Sequence, residues 1–378
     1  MRVLIVYPRF YVYGGAELLI VKLCNYLTKR GVKNALLTTS MLPEVRHDLR
    51  ETEIIIVKNK FSNIIGEILA IKRGICNCLD DFDVINVHNF PAEISVFPYK
   101  KPFVWMCNEP ELYLILKLNN LSFQTRLLSK ILLFFEKFVV KKYIKCFVVA
   151  DEFNARRFKK LYGITPDIIH YGIDYDFFCK GEGERAKHRF GAAKNFTILQ
   201  VGMLTPFKNQ MASIKAVQEL KDKITNIKLI LAGWGEGEYK EMLEKYVQEN
   251  NLKDYVLLTG HLKREDIRDL FHASDVLLHP IKEQGGWLSP FEALCAGKPI
   301  IVSPEMTASN IIKRENIGIV TDDYAKAIED IYINSNYYRE MAKKGREWVK
   351  ENLGWDRFGY EMLEIFNKAL TRTSRKRL

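Results

Sequence analysis

The stretch Glu283-Gln284-Gly285-Gly286-Trp287-Leu288-Ser289-Pro290-Phe291-Glu292-Ala293-Leu294-Cys295-Ala296-Gly297-Lys298-Pro299 decides how the second half of this chain is read. It follows an apolar run ending in His279-Pro280 and leads into a helix-forming segment, which makes it a strand–glycine loop–helix unit. Ser289 is a good N-cap, Pro290 suits the first helical position, and Glu292 completes a Ser-x-x-Glu capping box. The N–H groups at such a helix start attract phosphate, and glycines let a ligand approach the backbone. The plainer alternative is that Glu292 only caps its own helix.

Units of the same kind extend in both directions. Val3–Tyr7, Ala35–Thr39, Ile54–Val57, Val84–Val87, Phe103–Met106 and Phe147–Val149 read as buried strands separated by helical patterns, the first helix running from Ala16 to Lys29. The series restarts at Thr197–Gly202 and continues through Lys228–Ala232, Val256–Thr259, Val276–His279 and Pro299–Val302. The glycine-rich, charged segment 180–195 reads as a solvated connection. The expected class is α/β: two doubly wound domains in series, with ligands bound in a cleft at the strand carboxyl ends. A last amphipathic helix, Asp356 to Leu370, repeats apolar Phe358, Met362, Ile365, Phe366 and Ala369, and a basic tail follows it.

Composition narrows the function classes. The 378 residues are enough for two domains, and 48% hydrophobic with 27% charged residues excludes global disorder. Seven cysteines, scattered from Cys24 to Cys295, fit a reducing compartment rather than a secreted disulfide scaffold. Arg2–Tyr7, cut short by Pro8, is too short for a signal core. The net charge of +11 is concentrated in the first half, where residues 1–170 hold 25 Lys+Arg against 16 Asp+Glu. Within that half the excess lies in 100–160, where 13 cations meet 5 anions, and residues 126–145 read as a basic helix. On a helix, Arg126, Lys130, Lys137, Lys141 and Lys145 share one side, with Leu128, Leu132, Phe135, Val139 and Tyr143 opposite. Leu133, Phe134 and Ile144 intrude near the basic side. The helix is either an ordinary surface helix or one seated on an anionic membrane. Its charges keep it from spanning the bilayer, and no base-reading motif supports a nucleic-acid partner.

The ordered motifs resemble the retaining glycosyltransferases of family 4, also called glycosyl transferases group 1, which have the GT-B architecture. Glu292, Ala293, Gly297 and Pro299 match the second half of that family's Glu-x7-Glu signature; Gln284 stands at the first Glu, with Glu283 one residue early. The resemblance implies that Glu292 holds the nucleotide ribose. It implies that Trp287, Leu288, Ser289 and Gly286 present amides to the sugar diphosphate, and that Gln284 or Glu283 touches the donor sugar. Gly202-Met203-Leu204-Thr205-Pro206-Phe207-Lys208 matches the family's Gly-Arg-Leu-x-x-x-Lys with Met203 in place of Arg, so Lys208 is the expected diphosphate cation. Gly14-Gly15 matches the phosphate-closing loop of the first domain, and His88 the acceptor-side histidine, with Asn86 replacing an earlier one. The Trp105–Pro110 strand end is expected to line the acceptor side. Gly233 and His261 fall in nucleoside-binding loops, and His170–Asp174 resembles the entry to the second domain.

The resemblance therefore implies an acceptor-binding Rossmann-like domain over 1–172 and a nucleotide-sugar domain over 173–355. It also implies, over 356–378, a helix crossing back to the first domain and then a frayed basic tail. The expected enzyme is a hexosyltransferase using a UDP- or GDP-sugar and a glycan or lipid-linked acceptor at the inner face of the cell membrane. No metal or other cofactor is expected. Two alternatives stay open: a catalytically weakened nucleotide-sugar-binding protein, motivated by Met203 and Gln284, and a GT-B nucleotide-sugar epimerase, hydrolase or phosphorylase.

Overall fold

The computed structural model describes residues 1–11, 13–49, 51–61, 63–117, 121–282 and 287–374. They form two compact units, one made of Met1–Gly172 with the chain from Trp355 onward, the other of Ile173–Gly354.

The first unit holds strands β1 (Arg2–Val6), β2 (Lys33–Thr38), β3 (Glu53–Ile56), β4 (Val84–His88), β5 (Phe103–Met106), β6 (Ile144–Val149) and β7 (Asp167–Ile168). They make one parallel sheet in the order β3-β2-β1-β4-β5-β6-β7. Both faces are covered, which is why the strands read as continuous apolar runs. Val3 and Ile5 of β1 pack with helix Gly15–Lys29 and with Phe358, Met362 and Phe366 of helix Trp355–Ser374. Leu4 and Val6 face Ile71, Ile75, Val139 and Val140 on the other side. The last helix outruns its expected end: Arg372 donates to the Lys145 carbonyl at 2.9 Å, so the stretch up to Ser374 is helical rather than frayed.

The second unit holds β8 (Phe196–Val201), β9 (Ile227–Ala232), β10 (Val256–Gly260), β11 (Val276–His279), β12 (Ile300–Val302) and β13 (Ile319–Val320). This sheet is also parallel, in the order β10-β9-β8-β11-β12-β13. Each sheet reverses its winding beside its first strand, between β1 and β4 and between β8 and β11. Loops leaving the carboxyl ends there diverge and leave room for a ligand. The Arg9–Gly15 loop and His88 lie at the first switch point, and the Gly202–Lys208 turn and the segment after His279 at the second.

Three expectations change. The edge strands β7 and β13, two residues each, carry too little pattern to be read from sequence. Segment 180–195 is not a free connection: helix Gly183–Arg189 docks on helix Arg264–Ala273, where Arg189 pairs with Asp266 and the Glu182 N–H donates to Asp269. Arg189 finds its partner 77 residues further along the chain, while Arg185 pairs with Glu182 and Lys187 with Glu184 inside the segment, at the surface.

The third change concerns the basic helix, which spans Phe123–Tyr143; Ile144 and Lys145 belong to β6, where Ile144 pairs with Phe103. Leu132, Leu133, Phe135, Val139 and Tyr143 pack inward. Phe123, Leu127, Ile131, Phe134 and Phe138 form an outward stripe, with Phe123 80% and Phe134 79% exposed. Exposed Lys130, Lys141 and Lys142 flank it. Leu133 thus leaves the basic side and only Phe134 of the expected intruders stays there. No helix among the described residues is long and apolar enough to cross a membrane.

Candidate active site

In the second unit, the loops after β8, β9 and β10 are zipped together by backbone hydrogen bonds. The Gly202 N–H donates to Ala232 O at 2.9 Å, Leu204 N–H to Trp234 O at 2.8 Å, and Gly233 N–H to Gly260 O at 3.2 Å. Gly202 has φ +147°, and a Cβ on Gly233 would lie 2.0 Å from Gly202 O. No side chain fits between these loops. Gly233→Ala is expected to destabilise the unit by about 4 kcal/mol or more, since the clash is with backbone. Thermal melting should fall by roughly 10 °C; a drop under about 2 °C would show that the loops relax freely.

The Met203–Gln210 turn is held from beneath. Gln200 Nε2 donates to Lys208 O at 2.7 Å and accepts from Ser213 Oγ at 2.6 Å through its carbonyl oxygen. Gln210 Nε2 donates to Met203 O at 2.9 Å. Asn209, in left-handed conformation at φ +54°, donates to Pro280 O at 3.0 Å, and the Lys282 N–H donates to Phe207 O at 2.8 Å. These bonds bring the turn against the segment that follows β11. Lys208 is half-buried, its stem lying 3.4–3.7 Å from where a Cβ on Gly202 would sit. Met203 is exposed and uncharged. His261 is exposed just beyond β10.

Glu283, Gln284 and Gly286 lie outside the described residues. The helix that follows runs Leu288–Cys295, two residues earlier than Ser289 capping requires, and the capping box does not form. Trp287 takes the N-cap position with helical φ −61° and ψ −35°, whereas a serine cap needs extended backbone. Trp287 is buried with its ring 4.5 Å from that of Phe291. The Trp287 side chain does not cap this helix, and first-turn N–H groups such as those of Leu288 and Ser289 suit an anionic ligand. Glu292 is half-buried in the same helix. Burial raises its pKa to about 7, Arg264 pulls it down and Asp174 pushes it up. Arg264 and Asp174 pair at 2.9 Å, with Arg264 stacked 4.2 Å from the Phe177 ring centroid. A carboxylate with a divided charge environment can accept hydrogen bonds from vicinal hydroxyls.

In the first unit, Gly14 is the N-cap of helix Gly15–Lys29, and its N–H donates to Glu17 at 3.1 Å. Tyr7 OH donates to the other oxygen of Glu17 at 2.7 Å. Gly15 is exposed. His88 closes β4 and is completely buried; burial lowers its pKa to about 3, so the imidazole is neutral at physiological pH. Asn86 spends its Nδ2 on Val104 O at 3.2 Å, which leaves its Oδ1 to accept from His88 Nε2–H at 2.7 Å. That tautomer leaves Nδ1 as an acceptor with no partner among the described residues. Beyond it, Tyr171 OH donates to Asn108, whose Nδ2 donates to Asn89, each at 2.8 Å. The Trp105–Pro110 strand end is thereby tied to the loop after β4.

Sequence reasoning missed Gln200, Ser213, Arg264, Asn89 and Tyr171 as supporting residues. Tyr171 and Asp174 lay in a recognised motif, but nothing in spacing links Asp174 to Arg264, 90 residues on. Among the described residues, no group of three His, Cys, Asp or Glu is placed to hold a metal ion.

Two family models match the chain: Glycosyltransferase Family 4 over residues 13–177 and Glycosyl transferases group 1 over residues 183–348. The human alpha-1,3/1,6-mannosyltransferase ALG2 is 23% identical over 313 residues, 77% of this chain and 74% of that protein. The GDP-mannose-dependent alpha-(1-6)-phosphatidylinositol monomannoside mannosyltransferase of Mycolicibacterium smegmatis is 22% identical over 233 residues, 57% of this chain and 60% of that one. The crystal structure of Anabaena Alr3699/HepE in complex with UDP and glucose superposes with a TM-score of 0.81 at 17% identity, covering 97% of this chain and 100% of that one.

Proposed function

The chain belongs to the family 4, group 1 glycosyltransferases with the GT-B fold, and on that premise we propose that it moves a hexosyl unit from a UDP- or GDP-sugar to a glycan or lipid-linked acceptor, retaining configuration. The observation that carries this reading is that Lys208 and the helix Leu288–Cys295 bearing Glu292 follow the neighbouring strands β8 and β11, at the switch point of the second unit. In the proposed reaction Glu292 accepts hydrogen bonds from the ribose hydroxyls. Lys208 and the amides of Leu288 and Ser289, rather than a divalent ion, take up the charge that grows on the leaving diphosphate. The acceptor oxygen bonds to the anomeric carbon on the face the diphosphate leaves, and its proton passes to the departing phosphate oxygen. Gln284 or Glu283 hydrogen-bonds the donor sugar, Gly233 and His261 border the nucleoside, and Gly14 and Gly15 admit the phosphates. His88 Nδ1 is an acceptor for a hydroxyl rather than a strong base, given its depressed pKa.

Both nucleotides stay within the proposal, because one relative's name specifies GDP-mannose and one similar structure holds UDP and glucose. A thermal-shift series with UDP, GDP and their sugars tests it, since a ligand selective for the folded state raises the melting temperature. The reading fails if none shifts the melt and no donor is consumed.

The outward stripe of helix Phe123–Tyr143 supports a lipid-linked acceptor reached at an anionic membrane face. Aromatic and aliphatic side chains flanked by lysines suit the headgroup boundary, each near-surface lysine adding ~1 kcal/mol. Seven free thiols, five of them buried, are consistent with the reducing, inner side of that membrane. Ile131→Glu with Phe134→Glu should abolish co-sedimentation with phosphatidylglycerol-containing vesicles while the nucleotide-induced melting shift persists. Equal binding of the parent to phosphatidylcholine vesicles, or none to either, would sink the membrane role.

A further inference from the structure

The segments that follow β1, β2 and β3 line an open cavity of about 550 Å³ within the first unit. Its volume is that of a small-molecule site. Glu67, from the first turn of helix Ile64–Asn77, lies at its floor and is only 3% exposed. The carboxylate pairs with Arg9 and accepts a longer bond from Thr39 Oγ1 at 3.4 Å. Burial raises the Glu67 pKa and the Arg9 guanidinium opposes that rise. A planar carboxylate and a planar guanidinium are thus locked together facing a polar space, where Ser40 and Asn59 add further polar groups.

At the mouth stands Tyr11, whose ring is 71% exposed, with the Arg9 guanidinium 5.8 Å from its centroid. A large aromatic kept in water beside a polar cavity has no role in the core. Its face can cover the C–H face of a sugar ring, while planar donors and acceptors meet vicinal hydroxyls. Arg9 is already neutralised by Glu67, so the floor favours hydroxyls over phosphate. Lys58, exposed at the rim, is the group there suited to an acidic substituent.

We propose that this cavity is the acceptor subsite, binding a terminal pyranose with Tyr11 against one ring face, Glu67 and Arg9 on adjacent hydroxyls, and Lys58 admitting a uronic acid. The proposal rests on the glycosyltransferase reading and supplies it with an acceptor class. The pyranose is the end of either a free glycan or a lipid-linked one.

Ligand-observed saturation-transfer NMR tests the site with the full chain and methyl α-mannoside, methyl α-glucoside, methyl β-galactoside and methyl β-glucuronide. Octyl counterparts below their micelle concentration form a second arm. At least one pyranoside should bind, and Tyr11→Ala and Glu67→Gln should each weaken it by about tenfold or more. Tyr11 is exposed, so its variant folds even if Glu67→Gln does not. Lys58→Ala should weaken the glucuronide selectively. Binding confined to the octyl arm, with the same variant sensitivity, assigns the site to a lipid-linked glycan. The proposal is overturned if no glycoside binds, or if binding is unchanged in both Tyr11→Ala and Glu67→Gln. Failure of UDP and GDP to shift the melt, with variant-sensitive glycoside binding intact, would instead remove the donor reading and leave this site standing.

Discussion

Lys208→Ala is expected to lower the rate of sugar transfer by about 10²–10³-fold, in line with the loss of one preorganised group facing developing charge. Three features make the effect large. Met203, exposed and uncharged, stands where the resemblance expects an arginine, so in the proposed reaction Lys208 meets the diphosphate without that second cation. Its stem lies along Gly202, and its backbone is held by Gln200 and Thr205, so the ammonium is presented by a turn that is already ordered. Ordering that turn therefore costs nothing at the moment of reaction. Charge on the diphosphate rises as the anomeric bond breaks, so kcat should fall more than the donor KM rises. Lys208→Arg should recover part of the rate. Stopped-time assays of donor consumption and product give both parameters. A loss confined to KM would make Lys208 a ground-state anchor only.

The second large effect separates binding from stability at one residue. Glu292→Gln is expected to weaken nucleotide binding by about tenfold to a hundredfold, since hydrogen bonds from hydroxyls to a charged acceptor are lost. The same substitution should stabilise the free protein at pH 8. The folded pKa of Glu292 is about 7 against an ordinary 4.5, so the native state binds more protons between those values. Stability contributed by this group is therefore fully present below pH 4.5, falls as pH rises, and is lost above about pH 7. The full cost of ionising it is about 3 kcal/mol, which glutamine removes. Melting the two proteins at pH 4 and pH 8 should give similar values at the first and a higher one for the variant at the second. Donor kcat/KM of the parent should rise with pH to a plateau above about 7, and that limb should vanish in the variant. If Glu292→Gln lowers stability at pH 8, the carboxylate is held by partners in the folded state and its role is structural.

Much of the architecture was legible because parallel strands covered on both faces are short apolar runs bounded by turn residues. All eleven strands read from the sequence are present with ends within two residues, except that the β6 run begins at Ile144 rather than Phe147. The two overlooked strands, Asp167–Ile168 and Ile319–Val320, are edge strands too short for any periodicity. Helix ends were read less well. Ser289 has the chemistry of a cap, but the backbone at Trp287 is already helical, so its hydroxyl sits a turn position too late. The basic helix was divided by charge into a wet and a dry side, yet it has apolar residues on two sides. Phe90, Ile94 and Phe97 cover one of them and leave Phe123, Leu127, Ile131 and Phe134 uncovered, with Phe138 at the margin beside Phe97.

The sequence by itself determined the α/β alternation, the glycines at the loop crossings, and the placement of Lys208, Glu292 and Gly14-Gly15 after their strands. These follow from φ limits, strand period and turn chemistry, all of which act within a few residues. The tertiary structure alone decided what is charged, covered or paired. It buries His88 as a neutral acceptor, raises Glu292 to about 7, and joins Arg264 to Asp174 and Arg9 to Glu67. Desolvation and ion pairing depend on which distant segments fill the space around a group, and no local pattern of residues encodes that.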